Sequence, residues 1–339
     1  MKIEVYGTIG PSCEREEIIT KMFQAGMTGI RINMSHSGLS QCTDWIETIR
    51  KAAKSAEKTP NLLIDLKGPE LRIGIAKDMC LTIEEKVTLV EEKEENITVN
   101  QQGNCREISV PRLVIAALSV GQEVLLDDGK ILLLVEEGSV CRVLRGGILK
   151  SHKSIAVVGA KIEAPTLTQS DLDNIAQIKA CHITGVMLPF VRNAQDLKNL
   201  RTALKNAGAE DTKIFAKIEN RQGIAALPEI LPEADQIVIA RGDLGNDMPL
   251  WELPVVQNQI ARICQKAGKP FMVVTQLLAS METHQVPTRA EVSDIFRAVS
   301  EGASSVMVTG ETAVGNYPVE TIRYLCNTVK AAQDYIITQ

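Results

Sequence analysis

Short apolar runs alternate with amphipathic stretches along most of the chain. The apolar runs are Lys2–Tyr6, Gly29–Asn33, Asn61–Leu66, Gly185–Phe190, Lys213–Ile218, Gln236–Ala240, Phe271–Thr275 and Ser305–Thr309. Each is rich in Val, Ile or Leu and too short for a helix, as expected of parallel strands buried on both faces. Helical patterns lie between them, among them Glu14–Ala25, Asp44–Lys54, Asp171–Ala180, Pro254–Ala267, Arg289–Glu301 and Pro318–Tyr335. Gly26, Gly268 and Gly302 sit just past three of these, where a left-handed C′ residue is wanted. Thr168 and Ser170 are candidate caps for the helix that follows them. Eight strands, each owed a helix, predict an α/β fold of the (β/α)8 TIM-barrel type rather than a six-stranded open sheet.

One stretch breaks this rhythm. From about Glu70 to Val158 helical periodicity gives way to alternation, at Leu81–Ile83, Lys86–Val90, Asn96–Val99, Glu123–Leu126, Ile131–Val135 and Val140–Leu144. The triplets Asp127-Asp128-Gly129 and Arg145-Gly146-Gly147 between such runs predict hairpin turns. The expected organisation is therefore barrel over residues 1–69, a small all-β lid domain inserted after strand three over 70–158, and barrel again over 159–339. The run Glu91–Glu95 is expected to be a solvated face or loop.

Composition narrows the picture in three ways. At 339 residues there is room for one barrel plus one insertion. An aromatic share of 3% predicts an aliphatic core. A net charge of −5 without a basic stripe argues against nucleic acid as a partner, and no apolar run is long enough to span a membrane. Eight scattered cysteines without a C-x-x-C pair are expected to be reduced thiols of a cytoplasmic protein.

In a barrel of this kind the site forms at the C-terminal ends of the strands. Strand two ends Arg31-Ile-Asn33-Met-Ser35-His36, and strand three ends Asp65-Leu66-Lys67-Gly68-Pro69-Glu70-Leu71-Arg72. Strand five ends Lys217-Ile-Glu219-Asn220, strand six Ala240-Arg241-Gly242-Asp243, strand seven Thr275-Gln276 and strand eight Gly310-Glu311-Thr312. Lys217 and Glu219, two apart on an extended segment, point to one face. Glu219 and Asp243 can offer two carboxylates to one hard divalent cation such as Mg²⁺, which leaves positions for water and substrate oxygens. Arg31 and Lys217 bring positive charge suited to a phosphoryl group in transfer. Spacing alone equally allows Lys217–Glu219 or Arg241–Asp243 to be structural ion pairs at the barrel rim.

These segments resemble pyruvate kinase. The stretches Gly7–Ser12, Gly26–His36, Asp65–Arg72, Lys217–Asn220, Ala240–Gly245, Gly268–Pro270, Thr275-Gln276, Pro287–Glu291 and Gly310–Ala313 look like that family's motifs, in its order. The insertion falls where the family carries its lid. The resemblance implies that Glu219 and Asp243 bind Mg²⁺ or Mn²⁺, that Lys217 is the catalytic residue stabilising the transferring phosphoryl group, and that Arg31 contacts the phosphate. It implies that Thr275 and the backbone of Gly242 and Asp243 hold the substrate. Asn33, Ser35, Asp65 and the Leu66 carbonyl would form a monovalent-cation site, normally for K⁺. Arg72 and Lys153 match residues that reach the nucleotide phosphates; His36 stands in the same neighbourhood, with a hydrogen-bonded structural role as the alternative.

The implied reaction runs between phosphoenolpyruvate plus ADP and pyruvate plus ATP, with a homodimer through the barrel. The family's large C-terminal domain, with its sugar-phosphate effector site, has no counterpart in this sequence, so indifference to sugar phosphates is expected. Four departures bear on the nucleotide side and its surroundings: Lys153-Ser-Ile-Ala156-Val-Val-Gly159 loses the Asn of the family's pattern, Pro189 stands for a Ser, Ala279 for a Glu and Val314 for a Lys. A barrel enzyme with another acceptor or C–C lyase chemistry, and a non-catalytic phosphoenolpyruvate-binding relative, are the competing readings.

Overall fold

The computed structural model describes residues 3–35, 37–74, 78–92, 106–127, 129–160 and 164–338. These divide into two compact units, the first made of Met1–Gly68, Thr166–Leu244 and Trp251–Gln339, the second of Pro69–Pro165 with Gly245–Leu250. The chain opens with β1 (Glu4–Thr8), α1 (Glu16–Gln24), β2 (Gly29–Asn33), α2 (Thr43–Ser55) and β3 (Asn61–Asp65). The second unit then holds β4 (Met79–Leu81), β5 (Lys86–Glu91), β6 (Arg106–Val110), α3 (Arg112–Ala117), β7 (Glu123–Leu126), β8 (Ile131–Glu137), β9 (Val140–Arg145), β10 (Gly147–Leu149) and β11 (Ile155–Val157). The first unit resumes with α4 (Gln169–Ile175), β12 (Gly185–Leu188), α5 (Ala194–Asn206), β13 (Lys213–Ile218), α6 (Arg221–Ala225), α7 (Leu227–Ile230), β14 (Gln236–Ala240) and α8 (Arg241–Leu244). It finishes with α9 (Leu253–Lys266), β15 (Phe271–Val274), α10 (Arg289–Ser300), β16 (Ser305–Met307), α11 (Gly310–Ala313) and α12 (Pro318–Ile337).

The first unit is a closed barrel of parallel strands in the order β1-β16-β15-β14-β13-β12-β3-β2. Its β12, β14 and β15 are buried at every position, which is why they read as continuous apolar runs. One buried cluster draws on every barrel strand but β2: Tyr6, Leu63, Met187, Phe215, Val238, Ala240, Met272, Val274 and Met307. The interior is thus not the purely aliphatic core that composition predicts. Three methionines and two aromatic rings fill it, and Met suits the irregular gaps between rings. Gly185 makes room for this filling, since a Cβ there would lie 2.6 Å from both Leu63 Cδ2 and Phe215 Cε2.

Helix starts follow local chemistry. Thr168 caps α4 in a capping box with Asp171, and Thr288 caps α10 in one with Glu291. Ser170, the other expected cap, lies inside α4 instead. Gly26, Gly268 and Gly302 all take positive φ. Among the described residues no helix is long and apolar enough to cross a membrane.

The second unit has a six-stranded sheet, β11-β7-β8-β9-β5-β6, and a two-stranded one, β10-β4. Val87, Leu89, Val124, Leu126, Leu133 and Val143 belong to its own buried core. The unit is β-rich rather than all-β, because α3 interrupts it with Val114 turned into that core. β7 and β8 pair antiparallel across the turn that Asp127 and Gly129 enter at φ 49° and 79°. The expected hairpin at Arg145–Gly147 is different: β10 leaves β9 and pairs with β4. Asn96–Val99, Asp128 and most of the Glu91–Glu95 run lie outside the described residues.

Candidate active site at the strand ends of the barrel

Charged side chains gather at the C-terminal ends of β2, β3 and β13. Register explains the first pair. β2 and β3 run parallel with Asn33 opposite Asp65, so Arg31, two residues back on the same face, reaches diagonally across to it. Arg31 Nε and Nη2 both donate to Asp65 Oδ2, at 2.9 and 2.7 Å. Lys217, near the end of β13, sets its ammonium 2.8 Å from Glu219 Oε1 and 3.4 Å from Asp65 Oδ1. Glu219 is held from its other side, because the Phe190 N–H donates to Oε2 at 2.7 Å. Phe190 can offer that N–H because it sits in the left-handed region, φ 52°, where a bulky residue rarely goes.

These groups are nearly sealed. The Lys217 side chain keeps 13% of its surface, Asp65 3% and Glu219 none. Burial works to lower the Lys217 pKa but is outweighed by the nearby carboxylates Asp65, Glu219 and Asp243, which hold it above the usual lysine range. Burial likewise opposes ionisation of Asp65, and Lys217 and Arg31 overcome it, so its carboxyl titrates below the normal range. Glu219 goes the other way. Burial, reinforced by Asp243, raises its pKa against the pull of Lys217 and the Phe190 N–H.

Two oxygens in this cluster, Asp65 Oδ1 and Glu219 Oε1, are buried and lie outside hydrogen-bond geometry with any partner, although both lie near the Lys217 ammonium. Arg31 and Lys217 stand among three carboxylates, Asp65, Glu219 and Asp243. Such a set can take up a further cation. Among the described residues there is no group of three or more His, Cys, Asp or Glu side chains placed to cage a metal by themselves. A cation here would complete its shell with water or substrate oxygens, as Mg²⁺ does.

The remaining expected residues fall into three sets. Gly242 and Thr275 meet, for a Cβ at Gly242 would lie 3.2 Å from Thr275 Cγ2. Asn33 Oδ1 accepts from the Ser35 N–H at 3.1 Å, and Leu66 is buried with its N–H donated to Met187 O at 3.1 Å. Arg72 and Lys153 belong to the second unit. There Arg72 bonds the His152 carbonyl at 2.6 Å and pairs with Glu70 at 2.7 Å, while Lys153 pairs with Asp127 at 2.8 Å. His36 lies outside the described residues.

Sequence reading missed two supports. Arg241 Nε and Nη2 donate to the Thr275 carbonyl at 3.2 and 2.7 Å, and its Nη1 binds Asp294 of α10 at 2.6 Å. That fork steadies Thr275 and Gln276, both in the left-handed region at φ 76° and 54°. The other is Phe190, whose role is a backbone one and leaves no mark in side-chain pattern. Consecutive non-glycine left-handed residues have no sequence signature either.

The barrel-domain description of one family, "Pyruvate kinase, barrel domain", matches residues 1–322. The chain belongs to the pyruvate kinase family. It is 39% identical to a pyruvate kinase of Staphylococcus epidermidis, 37% to one of Staphylococcus haemolyticus and 36% to one of Staphylococcus aureus. Each alignment covers 98% of this chain and 58% of the relative, so the chain spans somewhat over half the length of these pyruvate kinases. Within this pyruvate kinase barrel the departures seen in the sequence take definite places. Pro189 packs on the Lys67-Gly68 turn, where a Cβ at Gly68 would lie 2.6 Å from Pro189 Cγ. Val314 is 62% exposed just beyond α11, and Ala279 opens a short 3-10 turn, Ala279–Glu282, after β15.

Proposed function

We propose that the chain catalyses phosphoryl transfer between phosphoenolpyruvate and ADP, giving pyruvate and ATP. One observation carries the reading: a single buried ammonium, Lys217, is shared by Asp65 and Glu219 at the strand ends of a pyruvate kinase barrel. A lysine kept protonated in a nearly dry site is suited to the equatorial oxygens of a phosphoryl group in flight. Arg31 extends that positive surface toward the phosphate, and its fork is oriented in advance by Asp65. Thr275 and the backbone of Gly242 and Asp243 would hold the substrate. Transfer breaks the bond between phosphorus and the enol oxygen and forms one to the β-phosphate oxygen of ADP. The remaining enolate takes up a proton at carbon to give pyruvate.

The donor set fits a divalent cation, because the buried Glu219 Oε1 makes no hydrogen bond and the Asp243 carboxylate lies near enough to raise the Glu219 pKa. Glu219 and Asp243 would hold Mg²⁺ or Mn²⁺. When bound, that ion supplies charge neutralisation for the substrate oxygens. Asn33, Ser35, Asp65 and the Leu66 carbonyl would hold K⁺, with the buried Asp65 Oδ1 as the supporting observation. Residues 70–158 would form the lid domain between two barrel segments, 1–69 and 159–339; Arg72 and Lys153 of that domain and His36 of the first segment would serve the nucleotide phosphates. Exposed Trp251 and Val255, at the start of α9, support a homodimer through the barrel. A cytoplasmic setting without nucleic-acid or membrane partners completes the reading.

A coupled assay of phosphoenolpyruvate plus ADP with Mg²⁺ and K⁺ tests it. Pyruvate should appear in step with ATP. Pyruvate without ATP, or substrate binding without turnover, contradicts it.

A further inference from the structure

Helix α4 contributes nothing to the charged cluster, yet it reaches two of the loops that carry the proposed cation ligands. Asp171, fully buried, divides its carboxylate between two tasks. Oδ2 accepts from the N–H and the hydroxyl of Thr168, at 2.8 and 2.7 Å, and closes the capping box. Oδ1 accepts from the backbone N–H groups of Lys67 and Gly68, at 3.0 and 3.4 Å. Asn174, three residues on and so on the same helix face, is 2% exposed and accepts the Leu39 N–H at 2.7 Å. One buried face of α4 therefore grips the chain beyond β3 and beyond β2.

The grip at Lys67 has a directional consequence. The Lys67 N–H and the Leu66 C=O belong to one planar trans peptide, so they point in opposite directions. A Lys67 N–H drawn toward Asp171 turns the Leu66 carbonyl away from α4. The Leu66 N–H is tied independently to Met187 O at 3.1 Å, so the peptides on both sides of Leu66 are fixed. Gly68 takes φ 61° directly after, a conformation in which the chain turns sharply enough to present two successive N–H groups to one oxygen.

We infer that Asp171 is a positioning residue for the monovalent-cation site: through the Lys67–Gly68 backbone it sets the direction of the Leu66 carbonyl, with Asn174 steadying the neighbouring loop. The inference rests on the proposed assignment of Asn33, Ser35, Asp65 and Leu66 to that cation. A residue that only capped α4 would matter for stability alone.

Melting temperature in KCl against tetramethylammonium chloride at matched ionic strength separates the cases, since a cation bound to the folded state raises it. In the wild type K⁺ should raise the melting temperature in a saturable way. Asp171→Ala should shift the K⁺ midpoint upward by about tenfold, the scale usual for losing a group that orients a ligand. Thr168→Ala, which removes the cap and leaves Asp171 Oδ1 on the loop, should lower the melting temperature and keep the midpoint within about twofold. Asp171→Asn, the variant to use if the alanine protein does not fold, should move the midpoint in the same direction by at least about threefold. An unchanged midpoint in the Asp171 variants, or an equal shift in Thr168→Ala, overturns the inference. A wild type indifferent to K⁺ shows instead that the cation assignment is wrong, and the inference goes with it.

Discussion

On one side of the barrel's strand ends, at β2, β3 and β13, both buried carboxylates face a cation: Asp65 meets Arg31 and Lys217, and Glu219 meets Lys217. On the other side, after β15 and β16, two carboxylates lie near enough for one to raise the pKa of the other. Glu311 is buried and accepts N–H bonds from Leu278 and Thr309, at 3.2 and 2.7 Å, while Glu282 turns a carboxylate oxygen onto Gly310. Among the described residues neither Glu282 nor Glu311 forms an ion pair, and Val314, where the sequence resemblance leads one to expect a Lys, stands by Gly310. Burial, with help from Glu311, raises the Glu282 pKa. The first side matches its buried carboxylates with cations. The second does not, and under the proposed function it would be the poorer surface for a nucleoside diphosphate.

Apart from loss of Lys217 itself, the largest effect is expected at Glu219. Glu219→Gln leaves Lys217 with Asp65 and Asp243 and removes half of the proposed metal pair. Turnover should fall at least about a hundredfold and Mn²⁺ binding, followed by electron paramagnetic resonance, should weaken by about 10–100-fold. Undiminished Mn²⁺ binding would move the metal elsewhere. A smaller effect of opposite sign is expected on the second side. Val314→Lys should lower the KM for ADP by about tenfold, the value of one charge-assisted hydrogen bond of about 1.5 kcal/mol, and leave the KM for phosphoenolpyruvate alone. Equal changes in both constants would erase the distinction between the two sides.

How far the sequence revealed this contrast depends on what each feature needs. Apolar run length sufficed for the eight barrel strands, because parallel strands buried on both faces have no competing pattern. Thr168 was readable as a cap because its chemistry is local. The pairing of Arg31 with Asp65 was not, since spacing gives the face a side chain takes and not its neighbour on the next strand. The two were assigned to a phosphate and to K⁺, and register brings them together. Pairing of β10 with β4 and the Phe190 contact with Glu219 depend on distant chain and on backbone conformation, and no residue type announces either.

The smallest effect serves as a control in helix α5. Asp196 is buried and, like Asp65, has an arginine: Arg192 Nη2 lies 2.8 Å away, and Thr166 donates at 2.6 Å. Burial opposes its ionisation, but these hydrogen bonds prevail and lower its pKa. A lowered folded-state pKa means stability that is present above the unfolded value of about 4 and is lost as pH falls through the folded one. Asp196→Asn should therefore cost about 1–3 kcal/mol at neutral pH, flatten the acid side of the stability curve below about pH 4, and spare turnover. Lost turnover with intact stability would mean that this helix, too, takes part in the chemistry.

Lys217→Met tests the central claim most directly, in single-turnover and steady-state measurements of phosphoryl transfer from phosphoenolpyruvate to ADP. Because the ammonium is proposed to strengthen its contact as the phosphoryl group moves, kcat should drop by about a thousandfold or more while the KM for phosphoenolpyruvate changes by less than about tenfold. Circular dichroism and melting must show a folded protein, for removing the ammonium leaves buried Glu219 without its cation, at a cost of about 3–5 kcal/mol, while Asp65 keeps Arg31. A folded Lys217→Met protein with near-normal kcat, or one whose defect lies wholly in KM, would contradict the account.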